Sequence, residues 1–285
     1  MPNVSEILRE ATEILRENGV AEPRREAASL LAFTLSKDKT FLISHDDYEL
    51  SREEQKKIRD FLNRRANREP FQYITGFQEF YGLDFFVAPG VLIPRPETEL
   101  IVENAIKILS ELENSRFCEI GIGSGCISIS ILHEVKNSTA IGLDVSPKAL
   151  EITQKNAVKH KVADRLQTKI SDVFAVFEAE KFDLIVSNPP YIAVEDISTL
   201  QREVRDYEPL VALTDGGNGL SIVEKIVRNS PNFLKPGGFL LMEIGFDQAR
   251  KVSEMFDSEK WQSLEILQDL QGIPRTVMVQ NKIEA

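Results

Sequence analysis

The pattern of apolar and polar positions divides the chain into a helical stretch, a short aromatic stretch and a long alternating stretch. In residues 3–68 apolar side chains return at helical spacing. Ile7, Leu8, Ala11, Ile14 and Leu15 mark one helix, and Gly19 follows as a stop. Ala27 to Leu35 predicts a second helix, and Ser51, three residues before Glu54, opens a third with a capping-box pattern. No β-rich run interrupts them, so residues 1–75 read as a small helical domain. Over 71–93 the character changes. Phe77, Phe80, Tyr81, Phe85, Phe86 and Val87 cluster around Gly82 and the Pro89-Gly90 turn, which predicts a β-hairpin connector over 76–93.

The third part, residues 94–285, begins with Pro94-Arg-Pro-Glu-Thr-Glu, which leads into a helix reaching about Leu112. Pro96 suits a first helical turn, and Glu97 and Glu99 suit its positive end. Apolar runs then predict strands at 116–120, 139–144, 166–171, 182–187, 238–244 and 275–281. Helices are predicted near 124–134, 147–160, 218–230 and 247–257. Strand and helix alternate, which implies an α/β domain with a mostly parallel sheet covered on both faces. Ligands of such sheets bind at the C-terminal strand ends.

Composition adds exclusions. The 285 residues are 42% hydrophobic and 28% charged, as in ordinary globular proteins. The net charge of −11 repels phosphate backbones at long range, so direct DNA binding is not expected. Residues 1–75 carry net −1 and the remainder net −10. Lys56, Lys57, Arg59, Arg64, Arg65 and Arg68 concentrate on the third helix, which is either a solvated face or a docking surface for an acidic partner. Cys118 and Cys126 show no metal-ligand spacing and read as free, buried thiols, so no metal site is expected. No apolar run approaches the roughly 20 residues that span a bilayer. Glu6, Arg9 and Glu10 stand where a signal peptide would need its apolar core. The expected location is the cytoplasm, with no membrane partner.

Two motifs carry chemistry. Glu119-Ile-Gly-Ile-Gly-Ser-Gly joins the first predicted strand of the alternating part to a helix. Gly121, Gly123 and Gly125 permit a tight turn and close approach of a ligand, with Ile122 and Ser124 between them. Asp144 ends the next strand, 19 residues after Gly125, where a carboxylate can accept hydrogen bonds from ribose hydroxyls. On the loop alone, NAD binding and S-adenosylmethionine binding both remain open.

The second motif, Asn188-Pro-Pro-Tyr, follows the apolar strand Phe182-Asp-Leu-Ile-Val and so stands at a C-terminal strand end. Pro189 and Pro190 stiffen the turn and lack N–H donors. The Asn188 side-chain oxygen and the Pro189 carbonyl are two acceptors for a planar NH2 on an sp2 carbon, and Tyr191 offers an aromatic face. Such acceptors aim the nitrogen and favour the positive charge that develops on it.

With these residues assembled, the chain resembles the bacterial release-factor glutamine N5-methyltransferases, the PrmC/HemK family. Phe71-Gln-Tyr-Ile-Thr-Gly, Pro94-Arg-Pro-Glu-Thr-Glu, the glycine loop, Ser187-Asn-Pro-Pro-Tyr-Ile, Asp215-Gly-Gly-Asn-Gly-Leu and Met242-Glu-Ile-Gly fall in the family's order and span nearly the whole chain. The resemblance implies a class I S-adenosylmethionine-dependent methyltransferase fold, a seven-stranded Rossmann-like sheet, behind a helical N-terminal domain that helps dock the substrate. It implies methylation of the glutamine in the GGQ motif of class-1 peptide chain release factors. Gly121 to Gly125 would wrap the methionine part of S-adenosylmethionine, and Asp144 would hold its ribose. Asp172 and Val173 would line the adenine slot. Asn188 to Tyr191 would hold the glutamine amide, with Asn188 near the cofactor too. Some members have Trp at the position of Val173, so aromatic stacking is lost here.

Other residues have plainer readings. Arg95 suits a loop-fixing ion pair, Cys126 helix packing, and Glu243 either packing or support of the cleft. Two competing functions remain. An N6-adenine or N4-cytosine nucleic-acid methyltransferase also acts on NH2 attached to an sp2 carbon, but the negative charge and lack of a large basic domain argue against it. A non-catalytic S-adenosylmethionine-binding protein would not need the intact Asn-Pro-Pro-Tyr turn.

Overall fold

The computed structural model describes residues 1–283, which form two compact units. One is Met1–Phe77 together with Gln201–Tyr207, and the other comprises Gln78–Leu200 and the chain from Glu208 onward.

The first unit is helical: α1 (Val4–Glu17), α2 (Pro23–Leu35), α3 (Lys39–Ser44), α4 (Arg52–Ala66) and α5 (Phe71–Thr75). Capping boxes open both α1, through Asn3 and Glu6, and α4, through Ser51 and Glu54. Buried Ile7, Ala11, Leu15, Leu30, Leu31, Ile58 and Leu62 make its core. Both α3 and α5 are too short for a helical period to be legible. Residues 71–75, where the sequence begins to change character, form a helical turn within the domain assigned as helical.

The concentrated basic residues, five on α4 and Arg68 beyond its C-cap rather than on the helix, divide into two sets. Arg65 is buried, with 5% of its side chain exposed, and grips Glu26 (2.5 Å) and Glu203 (2.9 Å). Arg68 reaches Glu203 at 2.7 Å, and Arg64 pairs with Glu69 at 2.6 Å. Lys57 lies over the rings of Phe33 and Phe61. These four hold the unit together. Lys56 and Arg59 remain on the surface, in a shallow depression with Arg52.

The second unit begins with the hairpin β1 (Phe77–Phe80) and β2 (Leu83–Phe86), continues through a 3-10 turn at Pro96–Thr98 into α6 (Glu99–Ser110), and then alternates. Its further elements are β3 (Arg116–Ile120), α7 (Cys126–Glu134), β4 (Thr139–Asp144), α8 (Pro147–Lys159), β5 (Leu166–Ile170) and β6 (Phe182–Ser187). After a 3-10 segment at Val194–Thr199, α9 (Arg202–Tyr207) falls within the helical unit. The second unit resumes with α10 (Leu210–Leu213), α11 (Ser221–Asn229), β7 (Leu234–Glu243), α12 (Ala249–Ser253), β8 (Trp261–Gln268) and β9 (Pro274–Asn281).

The seven-stranded sheet has the order β5-β4-β3-β6-β7-β9-β8. Pairings from β5 through β7 are parallel, while β9 runs antiparallel to both β7 and β8. Alternate residues feed two cores. Phe117, Leu184, Val186 and Leu241 face one, and Cys118, Ile185, Leu240 and Met242 face the other. Both thiols are buried and free. Six strands stand where the apolar runs predict them. The seventh, β8, has no legible pattern, because a register shift between Gln262 and Glu265 breaks its period of two and because as an edge strand it exposes half of its residues. Among the described residues no helix is long and apolar enough to cross a membrane.

Candidate active site

The strand order reverses between β3 and β4 on one side and β6 on the other, and a cleft opens at the C-terminal ends of these strands. Beyond β3 the N–H groups of Gly121 and Ile122 both donate to the Leu143 carbonyl, at 2.8 and 2.9 Å. The Gly123 N–H donates to Asp144 Oδ2 at 2.9 Å, and the Ser146 N–H to Asp144 Oδ1 at 2.9 Å. From α8, Thr153 Oγ1 donates to the Gly123 carbonyl and Asn156 Nδ2 to the Ser124 carbonyl, each at 2.9 Å. The loop is thereby fixed to β4 and α8. Burial raises the Asp144 carboxyl above its ordinary range, against the lowering effect of these N–H bonds.

Across the cleft, β6 delivers Asn188. Ser187 Oγ donates to the Ile120 carbonyl at 2.8 Å and ties the two strand ends together. Asn188 Nδ2 donates to Thr98 Oγ1 at 3.1 Å, and Thr98 Oγ1 donates to Glu243 Oε2 at 2.6 Å. The Tyr191 hydroxyl donates to Glu243 Oε1 at 2.9 Å. Burial raises the pKa of Tyr191, which the facing Glu243 charge reinforces, and burial also raises that of Glu243. The Tyr191 carbonyl accepts from Gln248 Nε2 at 2.8 Å.

The Asp215-Gly-Gly-Asn-Gly segment backs this turn. Asp215 accepts from the N–H groups of Gly217, Gly219 and Ser221 and from Ser221 Oγ. Partial burial works to raise its carboxyl, yet these hydrogen bonds prevail and hold it at about 2. Arg95 is in a loop-fixing ion pair, 2.5 Å from buried Glu208, which also accepts from the Ile93 N–H.

The resulting cavity has a volume of about 280 Å³. Gly121, Ile122, Gly123, Ser124, Asp144, Asp172, Val173, Asn188, Pro189 and Pro190 all line it. Gly125 and Tyr191 stand outside that wall. Gly125 is the N-cap of α7, and the Tyr191 hydroxyl is turned to Glu243. The Asp172 carboxylate is paired with Lys225 at 2.6 Å. Val173 is 5% exposed and holds φ at +53°, a left-handed conformation costly for a β-branched residue. Its carbonyl accepts from Ser171 Oγ at 2.9 Å, which fixes the bend.

Two polar lining residues that sequence reasoning does not single out bear on the chemistry. Glu119 is 1% exposed and accepts from the Ser128 N–H at 2.9 Å. Burial pushes its carboxyl up to about 8. Its one signal is its place at the head of the glycine loop. Thr98 has no chemical signal of its own, being one residue of a segment whose charges suggest only a helix start.

A family model described as PrmC N-terminal domain matches residues 6–76, and one described as Methyltransferase small domain matches residues 98–206. A release factor glutamine methyltransferase of Geobacter sulfurreducens is 41% identical over 263 residues, covering 92% of this chain and 91% of its own. Another, of Koribacter versatilis, is 39% identical over 257 residues and covers 90% of both chains. Among solved structures, a methyltransferase from Pyrococcus furiosus superposes with a TM-score of 0.52 at 17% identity. That superposition covers 71% of this chain and 90% of the other, and at this identity the likeness concerns the fold alone.

Proposed function

The chain belongs to the release factor glutamine methyltransferase family, and we propose that it methylates the side-chain amide nitrogen (N5) of the glutamine in the GGQ motif of class-1 peptide chain release factors. The methyl donor is S-adenosyl-L-methionine, which leaves as S-adenosyl-L-homocysteine. The residues of the cleft suit that donor. The Asp144 carboxylate has acceptor capacity beyond its two backbone bonds, as a ribose diol requires. A methyl group on Gly121 would stand 4.0 Å from the Asn188 carbonyl oxygen, in the space between the two loops that a ligand would use. Ile122 and Val173 supply apolar walls, and the Glu119 carboxyl, once ionised beside it, would be the counter-group for an ammonium. When bound, the donor supplies an electrophilic methyl on a sulfonium.

The observation that carries the reading is the orientation of Asn188. Its Nδ2 is engaged by Thr98, so Oδ1 is left to accept from an incoming NH2. Asn188 Oδ1 and the Pro189 carbonyl take the two amide protons and hold the nitrogen's remaining face toward the donor side. Their partial negative charges stabilise the positive charge developing on N5. Pro190 and Tyr191 keep the turn rigid. Holding the nitrogen in one attack geometry removes an entropic barrier worth several kcal/mol.

A glutamine side chain offers little surface, so selection of one glutamine calls for a remote protein interface. The helical domain is the proposed docking element, with Lys56 and Arg59 as exposed cations of the basic run. A substrate that acts on ribosomes supports a cytoplasmic location, and two free thiols suit that compartment. The net charge of −11 supports a protein substrate over DNA. The test is to incubate the protein with S-adenosylmethionine and either purified release factor or duplex DNA. A single methyl mapped by mass spectrometry to the GGQ glutamine is the expected result. Methylated adenine or cytosine with unmodified release factor would overturn the reading.

A further inference from the structure

We propose that Thr98 is a positioning residue that fixes which end of the Asn188 side-chain amide faces the cavity. The catalytic consequence rests on the function proposed above, whereas the orientation itself does not.

The two ends of an amide side chain are nearly identical in shape and opposite in hydrogen-bonding sense. Turned by 180°, Asn188 would present its own NH2 to the substrate NH2. Donor would face donor, and one of the two acceptors that aim the nitrogen would be gone. Neither proline of the turn has an N–H that could hold the Asn188 Oδ1 on the cavity side. The choice has to be imposed from behind Asn188.

The hydrogen bonds behind it run in one direction. Glu243 is an acceptor at both oxygens, taking the Tyr191 proton at 2.9 Å and the Thr98 proton at 2.6 Å. A hydroxyl has a single proton. With that proton committed to a carboxylate, Thr98 Oγ1 offers Asn188 only lone pairs. Asn188 therefore turns its Nδ2 toward Thr98, at 3.1 Å, and its Oδ1 is left for the cavity. Thr98 and Glu243 are each 2% exposed, so water does not readily replace either group. Thr98 lies 90 residues before Asn188 in the chain, and Glu243 ends β7. The fold is what joins them.

The threonine hydroxyl, not its volume, is the requirement. Thr98→Val keeps the shape and removes the acceptor, whereas Thr98→Ser keeps the hydroxyl. In methylation of release factor, Thr98→Val is expected to lower kcat about 100-fold, the scale of a roughly 1 Å misplacement of a reacting group. Affinity for S-adenosylmethionine by calorimetry should stay within about threefold, and Thr98→Ser should recover most of the lost turnover. Equal kcat in the valine variant and the wild type would overturn the proposal, as would equal losses in the serine and valine variants.

A second readout needs no substrate. In protein labelled with 15N-asparagine, the Asn188 side-chain NH2 signals are assigned by their loss in Asn188→Ala. Their exchange with solvent should be at least tenfold slower in the wild type than in Thr98→Val. Equal exchange rates would overturn the proposed orientation. If the wild type fails to methylate release factor, the proposed function falls, and this exchange measurement alone then decides the role of Thr98.

Discussion

Replacing Gly219 by alanine should displace the catalytic turn without changing any of its residues. Gly219 has φ of +77°, and a Cβ there would lie 2.1 Å from the Tyr191 carbonyl oxygen and 2.7 Å from the Tyr191 carbonyl carbon. Both atoms are backbone, so the clash cannot be relieved by rotating a side chain. Opening the contact from 2.1 Å to a tolerable distance moves the turn by roughly 1 Å, on the scale that costs about 100-fold in rate. Resistance to that movement comes from Gln248 Nε2, bonded to the same carbonyl at 2.8 Å. The left-handed backbone adds about 1–2 kcal/mol for a non-glycine residue, and overpacking about 1–3 kcal/mol. A control is built into the same segment. Gly216 has φ of +78°, yet nothing lies within 4 Å of its Cβ position, so Gly216→Ala incurs only the backbone cost. Single-turnover methylation of release factor, with thermal unfolding alongside, separates the two. Gly219→Ala should lose turnover and stability, and Gly216→Ala should lose about 1–2 kcal/mol of stability while methylating normally. Wild-type turnover in Gly219→Ala would refute the reasoning.

Four further expectations concern the site and the helical unit. Asp144→Ala should weaken S-adenosylmethionine binding by about 10- to 150-fold, the loss of a charged hydrogen-bond partner worth roughly 1.5–3 kcal/mol, and calorimetry showing unchanged affinity would remove Asp144 from the ribose site. Glu119 titrates near 8 in the folded protein against an ordinary value of 4.5, so the native state binds the extra proton and stability should fall as pH rises from about 4.5 to about 8. Glu119→Gln should flatten that fall in urea unfolding, and an unchanged slope would show that Glu119 is not its source. Arg65→Ala strands the Glu26 carboxylate in a largely buried network, leaves Glu203 with Arg68 alone, and should cost at most about 3–5 kcal/mol of stability. Reversing Lys56 and Arg59 to glutamate should instead leave the melting temperature in place, slow association with release factor and reduce its salt sensitivity, whereas association at the wild-type rate in low salt would locate docking elsewhere.

The chain's local chemistry is legible because its signals are local. Apolar runs put six of the strands in place, and the glycine loop, Asp144 and the Asn-Pro-Pro-Tyr turn each carry their conformation in a few adjacent residues. Elements that lack a period do not announce themselves. The helices α3 and α5 are too short for one, and a bulge removes it from β8. What no local pattern contains is the pairing of distant side chains. The basic run on α4 and just beyond it reads as one surface. Only the fold commits Arg64, Arg65 and Arg68 to carboxylates and leaves Lys56 and Arg59 at the surface. In the same way Thr98 is one polar residue in a helix start until β6 and β7 bring Asn188 and Glu243 to its hydroxyl. Sequence settles which groups can donate and accept. The direction in which the protons point depends on which groups the sheet buries side by side, because away from water each donor must find its acceptor within the protein.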